Sequence, residues 1–521
     1  MKRNWITNVC LGVIAGTVST AQAGTVAPEL LSRLGGLNPA EEISIIVTLT
    51  DQQDLRLFTD RDRKLRRTKI AKALRDKAAK SQQPLREFLL TKKVRKMRPF
   101  WIFNGMAVTL RADQVQELAA RPEVGSLRLD GILTLPQPAP AVTAVPAEWN
   151  LGVINAPALW ALGYTGTGVV VASMDSGVDY LHPDIGPGWR GGSNSWYDPS
   201  GEHPAPYDND GHGTGVMGIM VGGSAGGTAI GVAPGAKWIA VKVFNDAGTT
   251  SESIIHQGFQ WLLDPDGNAE TDDPPDLVYN SCGFSDNPGE CLPAFQADIQ
   301  ALKASGIGVV FSAGNSGPND ATSVSPANYP ESFGVGAVDQ TGTITSFSAR
   351  GPSACDGSIF PEIVAPGEGI RTADVTLNGT SPDPYATVLG TSFAAPHVTG
   401  AMALLLSVDP QLTVAELEAA LVQSAADLGE PGADNTYGYG LLDVVAAYDR
   451  FPAFPLAVSL LGKGRGSVAS NPPGIQCPGD CTGEYVPERV VTLTAVPAAN
   501  STFSGWSGDC GGMEATCQVT V

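Results

Sequence analysis

Four short segments hold side chains able to do chemistry together. "LGTSFAAPHVTG" (389–400) places Ser392 at the mouth of an apolar helix, and "YDNDGHGTG" (207–215) sets His212 between two glycines. "GVVVASMDSG" (168–177) puts Asp175 directly after an apolar strand, and "VVFSAGNSGP" (309–318) puts Asn315 in a Gly-rich turn. Each alone has a structural explanation. Ser392 would serve as a helix N-cap, Asp175 as a turn former, and Asn315 as a residue tolerant of a left-handed turn. A lone His212 would be a structural imidazole. Together they supply a nucleophile, a base, a carboxylate to orient the base, and an amide donor for a developing oxyanion. The neighbouring Asp179, His182 and Asp184 read as loop structure.

In chain order the four run Asp175, His212, Asn315, Ser392, and Asp-His-Ser is the order of subtilisin-type proteases. The flanking segments extend the likeness. "MDSGVDYLHPDI", "DGHGTG", "GVAPGA", "SAGNSGP", "SFSARGP" and "GTSFAAPH" resemble the signature segments of subtilisin-like serine peptidases and cover roughly 150–450 in the right order. "WYDP", "GVAPGAKWIAVKV", "GFQWLLDPDGN" and "AGNSGP" are similar to the bacillopeptidase F-type branch. The resemblance implies an endopeptidase in which His212 takes the Ser392 proton, Asp175 fixes the imidazole, and Asn315 with the Ser392 N–H holds the oxyanion. It also implies that a protein or peptide substrate lies extended along Ser281-Cys282-Gly283, with Ala313-Gly314 as the opposite wall and Val324 as the floor of the primary pocket. No cofactor is expected for catalysis and no residue is assigned to a metal.

Two positions depart from the family pattern: Gly215 stands where a second histidine is usual, and Phe393 where a methionine follows the nucleophile. A structural calcium ion is left open. The loop 222–230 lacks the oxygens of the family's calcium site, whereas Asp264, Asp266, Asn268 and Glu270 alternate along "DPDGNAETDD" in a spacing hard cations take; a solvated acidic loop explains the same pattern.

The elements that must position these residues follow from pattern. Between 151 and 450, near-continuous apolar strands ("GVVVASM", "KWIAVKV", "PDLVYNS", "IGVVFSA") alternate with helical segments. This predicts an α/β domain of three layers with a mostly parallel sheet covered on both faces. Ahead of it, residues 24–135 give a strand at 42–50, one or two helices within 62–98, and a strand, helix and strand after residue 100. That is a small α+β unit similar to the family's inhibitory propeptide. The Pro- and Ala-rich 136–150 reads as a linker and maturation region. Residues 455–521 read as a small all-β module resembling a Cys-paired repeat, ending without a turn at Val521. Its Phe503 and Trp506 offer a polysaccharide platform or, more simply, a core.

Residues 1–23, with Lys2 and Arg3, an apolar centre and Ala21-Gln22-Ala23, read as a secretory signal; the chain is expected outside the cell. No later run of 18 apolar residues stands out, so no membrane span is expected. Lys and Arg outnumber acids 21 to 13 over 24–135, whereas acids outnumber them 40 to 10 over 136–521. The basic stretch alone would suit nucleic acid, but an exported chain meets little of it, and the contrast points to a basic pro-segment docking on an acidic body, in a protein expected to act as a monomer. Seven cysteines follow the signal. Cys282 and Cys291 are close enough to pair, leaving Cys355 as a buried thiol. Cys477, Cys481, Cys510 and Cys517 allow three pairings.

Overall fold

The computed structural model describes residues 24–135, 139–140, 149–485 and 489–521, with the backbone alone at 139–140. The readings for the signal (1–23) and for most of the 136–150 linker lie outside them. In the N-terminal part the elements run β1 (Thr25–Val26), α1 (Pro28–Gly35), β2 (Glu42–Leu49), α2 (Arg63–Ser81), α3 (Gln83–Thr91), β3 (Lys96–Phe100), β4 (Gly105–Arg111), α4 (Val115–Ala119) and β5 (Val124–Leu129). The chain divides into two compact units. The first holds residues 24–52, 81–99 and 105–129: a five-stranded sheet in the order β1-β5-β2-β4-β3. Ile45 and Val47 of β2 point into a core with Leu85 and Leu89 of α3, Val108 of β4 and Leu118 of α4. Ahead of α4, Asp113 forms an ion pair with Arg111.

The second unit takes in residues 53–80, 100–104 and everything from 130 onward. The stretch 24–135 is therefore not one block, because α2 belongs to the larger body. Arg67 of α2 is 5% exposed and donates to the carbonyls of Ser305 and Pro275, and Arg66 donates to that of Ala304. Arg63 pairs with Asp276 at 3.0 Å. The basic helix is thus anchored on acidic loops and helix ends, in keeping with its charge.

The centre of this unit is a seven-stranded sheet made of β6 (Val170–Asp175), β7 (Trp196–Tyr197), β8 (Lys237–Lys242), β9 (Leu277–Asn280), β10 (Gly308–Ser312), β11 (Phe333–Val338) and β12 (Ile363–Pro366). Its order is β12-β11-β10-β9-β6-β8-β7, and every pairing is parallel. Val171, Tyr279, Val310 and Val335 face one layer, built on α5 (His212–Val221) and α8 (Thr391–Val408). On the other face α6 (Glu252–Leu263), next to α7 (Gln296–Ala304), brings Gly258 against Met174 and Val241. Burial on both sides is why these strands read as unbroken apolar runs. Helix α8 has 18 residues and mean hydropathy 1.3, long and apolar enough by composition to cross a membrane, contrary to the sequence reading. It lies in the core against α5 and the sheet, which accounts for its composition.

The C-terminal module has a four-stranded antiparallel sheet (Gln476–Cys477, Gly466–Asn471, Val490–Pro497, Thr516–Thr520) and a two-stranded one (Phe454–Ala457 with Thr482–Tyr485). Phe503 and Trp506 meet edge to face at 5.2 Å and pack on its small core, the simpler of the two expectations for them. Cys477 bonds Cys481 and Cys510 bonds Cys517. The expected Cys282–Cys291 bridge does not form. Cys291 bonds Cys355, 64 residues on, and Cys282 is the free buried thiol. Proximity along the chain misleads here because Cys282 turns inward at the end of β9. Replacing Cys291 and Cys355 together by serine should lower the stability of the large unit by roughly 4 kcal/mol on the loop-entropy scale, read as a depressed thermal midpoint of the whole chain.

Candidate active site

Asp175 ends β6 at the carboxyl edge of the parallel sheet, where sites gather in such folds. It has no exposed surface. Its Oδ1 accepts from the Ser176 N–H at 2.7 Å and lies 2.8 Å from His212 Nδ1, while Oδ2 accepts from the Ser281 hydroxyl. Burial alone would push this carboxyl up. The charge and hydrogen bond of His212, with those from Ser281 and Ser176, outweigh it and hold Asp175 below the ordinary carboxylate range.

His212 is the first residue of α5. A close contact of backbones sets its place: a Cβ on Gly213 would fall 2.0 Å from the Gly177 carbonyl, and one on Gly177 would fall 1.9 Å from that of Tyr207. Only paired glycines let the Asp175 turn and the helix start touch. Asp208 then accepts from Thr214 N and Oγ1 at 2.9 and 2.7 Å, tying the preceding loop to the first turn. Burial works to lower the imidazole's pKa, but Asp175, then Asp210 and Asp208, raise it above the usual value.

The other histidines are differently engaged. His397, in the same stretch as Ser392, donates from Nδ1 to the Phe393 carbonyl and meets Asn150 through Nε2, and burial drops it to about 4. His182 faces the Pro384 carbonyl and the Tyr385 ring, and Asp179 and Asp184 bind Thr376 and Tyr385, so all three are loop structure as expected. His256 forms a second buried pair with Asp298 at 2.9 Å, but Phe100, Phe103 and Phe295 enclose its ring. Burial leads there, and Asp298 sits above the ordinary range.

Ser392 lies in the first turn of α8. The N-cap is Gly390, at φ 142°, so Ser392 is not the cap. The ring of His212 packs against Phe393, with centroids 5.2 Å apart, which brings the imidazole to the start of α8. Asn315 follows β10, and its Oδ1 accepts from both Thr391 N and Thr391 Oγ1, at 3.0 and 2.9 Å. Because a backbone N–H only donates, the oxygen end is fixed and Nδ2 is the free donor. A Cβ on Gly390 would lie 3.7 Å from that Nδ2 and 3.8 Å from Ser392 N. The two N–H groups therefore flank one small space at a helix N-terminus, suited to a developing negative charge.

These are the features of one family. The Subtilase family profile matches residues 166–440. The chain is 36% identical over 443 residues to Bacillopeptidase F of Bacillus subtilis (strain 168), covering 78% of this chain but 30% of that protein. It is 34% identical over 352 residues to Subtilisin E of the same organism, covering 67% of this chain and 82% of that one. The chain belongs to the subtilase family of serine endopeptidases. That chemistry needs no cofactor for catalysis. A second profile, the Divergent InlB B-repeat domain, matches residues 463–521, over the small all-β module.

The remaining residues singled out from sequence lie in two segments that Val324 brings together. A Cβ on Gly283 would meet Val324 Cγ1 at 3.2 Å, and one on Gly314 would meet Val324 Cγ2 at 2.8 Å, so Val324 lies between the two segments read as walls. Ala313, with no exposed surface, precedes Gly314, whose N–H is bound by Thr391 Oγ1 at 3.2 Å. Cys282 is buried, and burial followed by the Asp175 charge pushes its thiol up to about 12. Ser281 turns its hydroxyl to Asp175 rather than into the cleft. Gly390 and Tyr279, whose hydroxyl donates to the Ser392 carbonyl at 2.8 Å, went unnoticed in the sequence. The "LGTS" glycine was the only available signal. The position of Gly215 is filled from across: a Cβ there would meet Phe393 and Thr372 at 3.3 Å, so the two departures from the family pattern compensate each other.

Among the described residues, carboxylates gather elsewhere in two groups. In Glu202, His203 and Asp246 the members bind one another and Lys242. In the 264–273 loop the converging set is Asp264, Asp266 and Asp273. Asn268 and Glu270, expected beside them, do not join: Asn268 Oδ1 caps the Glu270 N–H, and Glu270 pairs with Lys72. Alternate spacing holds for an extended loop, and this one folds back.

Since a base must be neutral to accept a proton, kcat/KM should climb with pH along a limb above the ordinary imidazole value. Asp210→Asn should move that limb to lower pH. Gly390→Ala should crowd the space between Asn315 Nδ2 and Ser392 N and lower kcat with little change in KM. Steady-state rates on a peptide substrate across pH check both.

Proposed function

We propose that this chain is a secreted serine endopeptidase, made as a self-processing zymogen, that cleaves peptide bonds through Asp175, His212 and Ser392. The observation that carries this reading is the buried Asp175–His212 pair beside the helix start that holds Ser392 and the Asn315 amide. With Nδ1 engaged by Asp175, Nε2 is the nitrogen left to take the Ser392 proton as the hydroxyl attacks the substrate carbonyl. The imidazolium that forms is stabilised by an Asp175 carboxylate that stays ionised. The same proton then goes to the leaving amine, and water repeats the sequence on the acyl-enzyme. Asn315 Nδ2 and Ser392 N–H meet the oxyanion in each half.

A substrate strand along Ser281–Gly283, with Ala313–Gly314 opposite, would gain backbone hydrogen bonds. Val324 at the base favours apolar side chains of medium size before the scissile bond. Secretion is supported by the signal-like residues 1–23 and by three disulfides. The pro-segment reading of 24–135 rests on its likeness to the family's propeptide and on the charge contrast with the rest of the chain.

Ser392→Ala should abolish protein hydrolysis, resist a serine-directed fluorophosphonate and keep its full N-terminal length on a gel, while the parent shortens itself. Labelling that persists in the variant would take Ser392 out of the mechanism. Asn315→Ala should keep KM and lose roughly 10²–10³ in kcat.

A further inference from the structure

The loop from Asp264 to Asp276 carries an arrangement that peptide hydrolysis does not use. Asp264, Asp266 and Asp273 bring carboxylate oxygens within 4.8 Å of one another, and Asp264 and Asp273 are only 6% and 8% exposed. Two of the three have donors. Asp273 Oδ2 accepts from Asp266 N and Asn194 Nδ2 at 2.9 and 3.0 Å, and Asp266 accepts from Asn268 N and Thr271 Oγ1. Asp264 is the exception: both its oxygens are buried, and neither accepts a hydrogen bond among the described residues.

The cation that lies against Asp264 is Arg75 of α2. Its Nη2 is 2.5 Å from Asp264 Oδ2 without the alignment of a hydrogen bond, and its Nη1 donates to the Gly267 carbonyl at 2.8 Å. Its Nε is buried with no acceptor among the described residues, and its guanidinium stacks over Trp101 at 4.5 Å. The guanidinium thus bridges a carboxylate and a loop carbonyl, the two oxygen types a hard divalent cation gathers. Arg75 and, on the Asp273 side, Arg190 bring two positive charges to three carboxylates, and Asp264 is left without a hydrogen bond among the described residues, a poor match for a buried anion.

We propose that this loop is a divalent-cation site, formed by the carboxylates of Asp264, Asp266 and Asp273 with the Gly267 carbonyl, and that Arg75 is its built-in competitor in the full-length chain. Calcium fits better than magnesium, because a flexible loop of protein oxygens suits an ion that accepts six to eight ligands in loose geometry. A second step rests on the zymogen reading above. Loss of α2 with the pro-segment removes Arg75 and opens the loop to the ion, and a bound divalent ion then opposes the return of the helix.

Calorimetric titration of calcium into the full Ser392→Ala chain, alone and with Arg75→Met or Arg75→Met/Asp264→Asn, tests the site without relying on processing. Arg75→Met should bind at least about tenfold more tightly than its parent, the scale of an ordinary coupling between sites, and Asp264→Asn should erase the gain. Circular dichroism checks folding, and Arg75→Gln stands in should the methionine variant misfold. Unchanged affinity on loss of Arg75, or a gain that survives Asp264→Asn, overturns the proposal. The self-trimmed parent should bind like Arg75→Met, and binding no tighter than the untrimmed chain overturns the maturation step. A parent that never trims itself counts against the zymogen reading, and the Arg75 comparison still decides the site.

Discussion

Asp175 holds a negative charge where water does not reach, and the surrounding structure is arranged to keep it there. A bare buried carboxylate would take up a proton. Three donors prevent this: the N–H of the next residue, a serine hydroxyl at the end of the neighbouring strand, and the imidazole across the turn. The parallel sheet makes the first two available, because β6 and β9 end side by side at the same edge. The third depends on the Gly177–Gly213 approach, which no larger residue would permit. Contrast with the His256–Asp298 pair is instructive. Asp298 keeps one oxygen without a hydrogen-bond partner among the described residues, and its carboxyl is raised rather than lowered. An Asp–His pair becomes a working base only when the carboxylate is otherwise satisfied and the ring is not walled in by phenyl groups.

The helix that carries Ser392 solves a different problem. Its first turn must leave an N–H free for the substrate, yet a long apolar helix has to be held firmly at that end. Thr391 is bound to Asn315 through both its N–H and its hydroxyl, Tyr279 holds the Ser392 carbonyl, and His397 holds that of Phe393 one turn on. The helix start is thereby fixed from the side of the sheet.

Much of this was legible in the sequence, for a physical reason. Asp175, His212, Asn315 and Ser392 sit where a strand or helix must meet a glycine turn, and such junctions leave local marks. Strand identities were equally plain, since two-sided burial writes unbroken apolar runs. What depended on distant partners was not legible. Cys291 finds Cys355 across a loop of 64 residues, and Asp273 displaces Asn268 and Glu270 in the acidic loop. The assignment of α2 to the larger body rests on arginines reaching carbonyls some two hundred residues away. The bond from the Ser281 hydroxyl to Asp175 was not legible either, because nothing in "NSCGF" says which way a side chain turns.

The burial of Cys282 bears on how the oxidised chain is assembled. Thiol–disulfide exchange proceeds through the thiolate, and burial, with the Asp175 charge, pushes this thiol up to about 12. Of the three cysteines between residues 282 and 355, one is thereby withdrawn from the redox chemistry of folding once the sheet has closed. A single combination remains for the other two, and burial keeps the free thiol from oxidants and mixed disulfides.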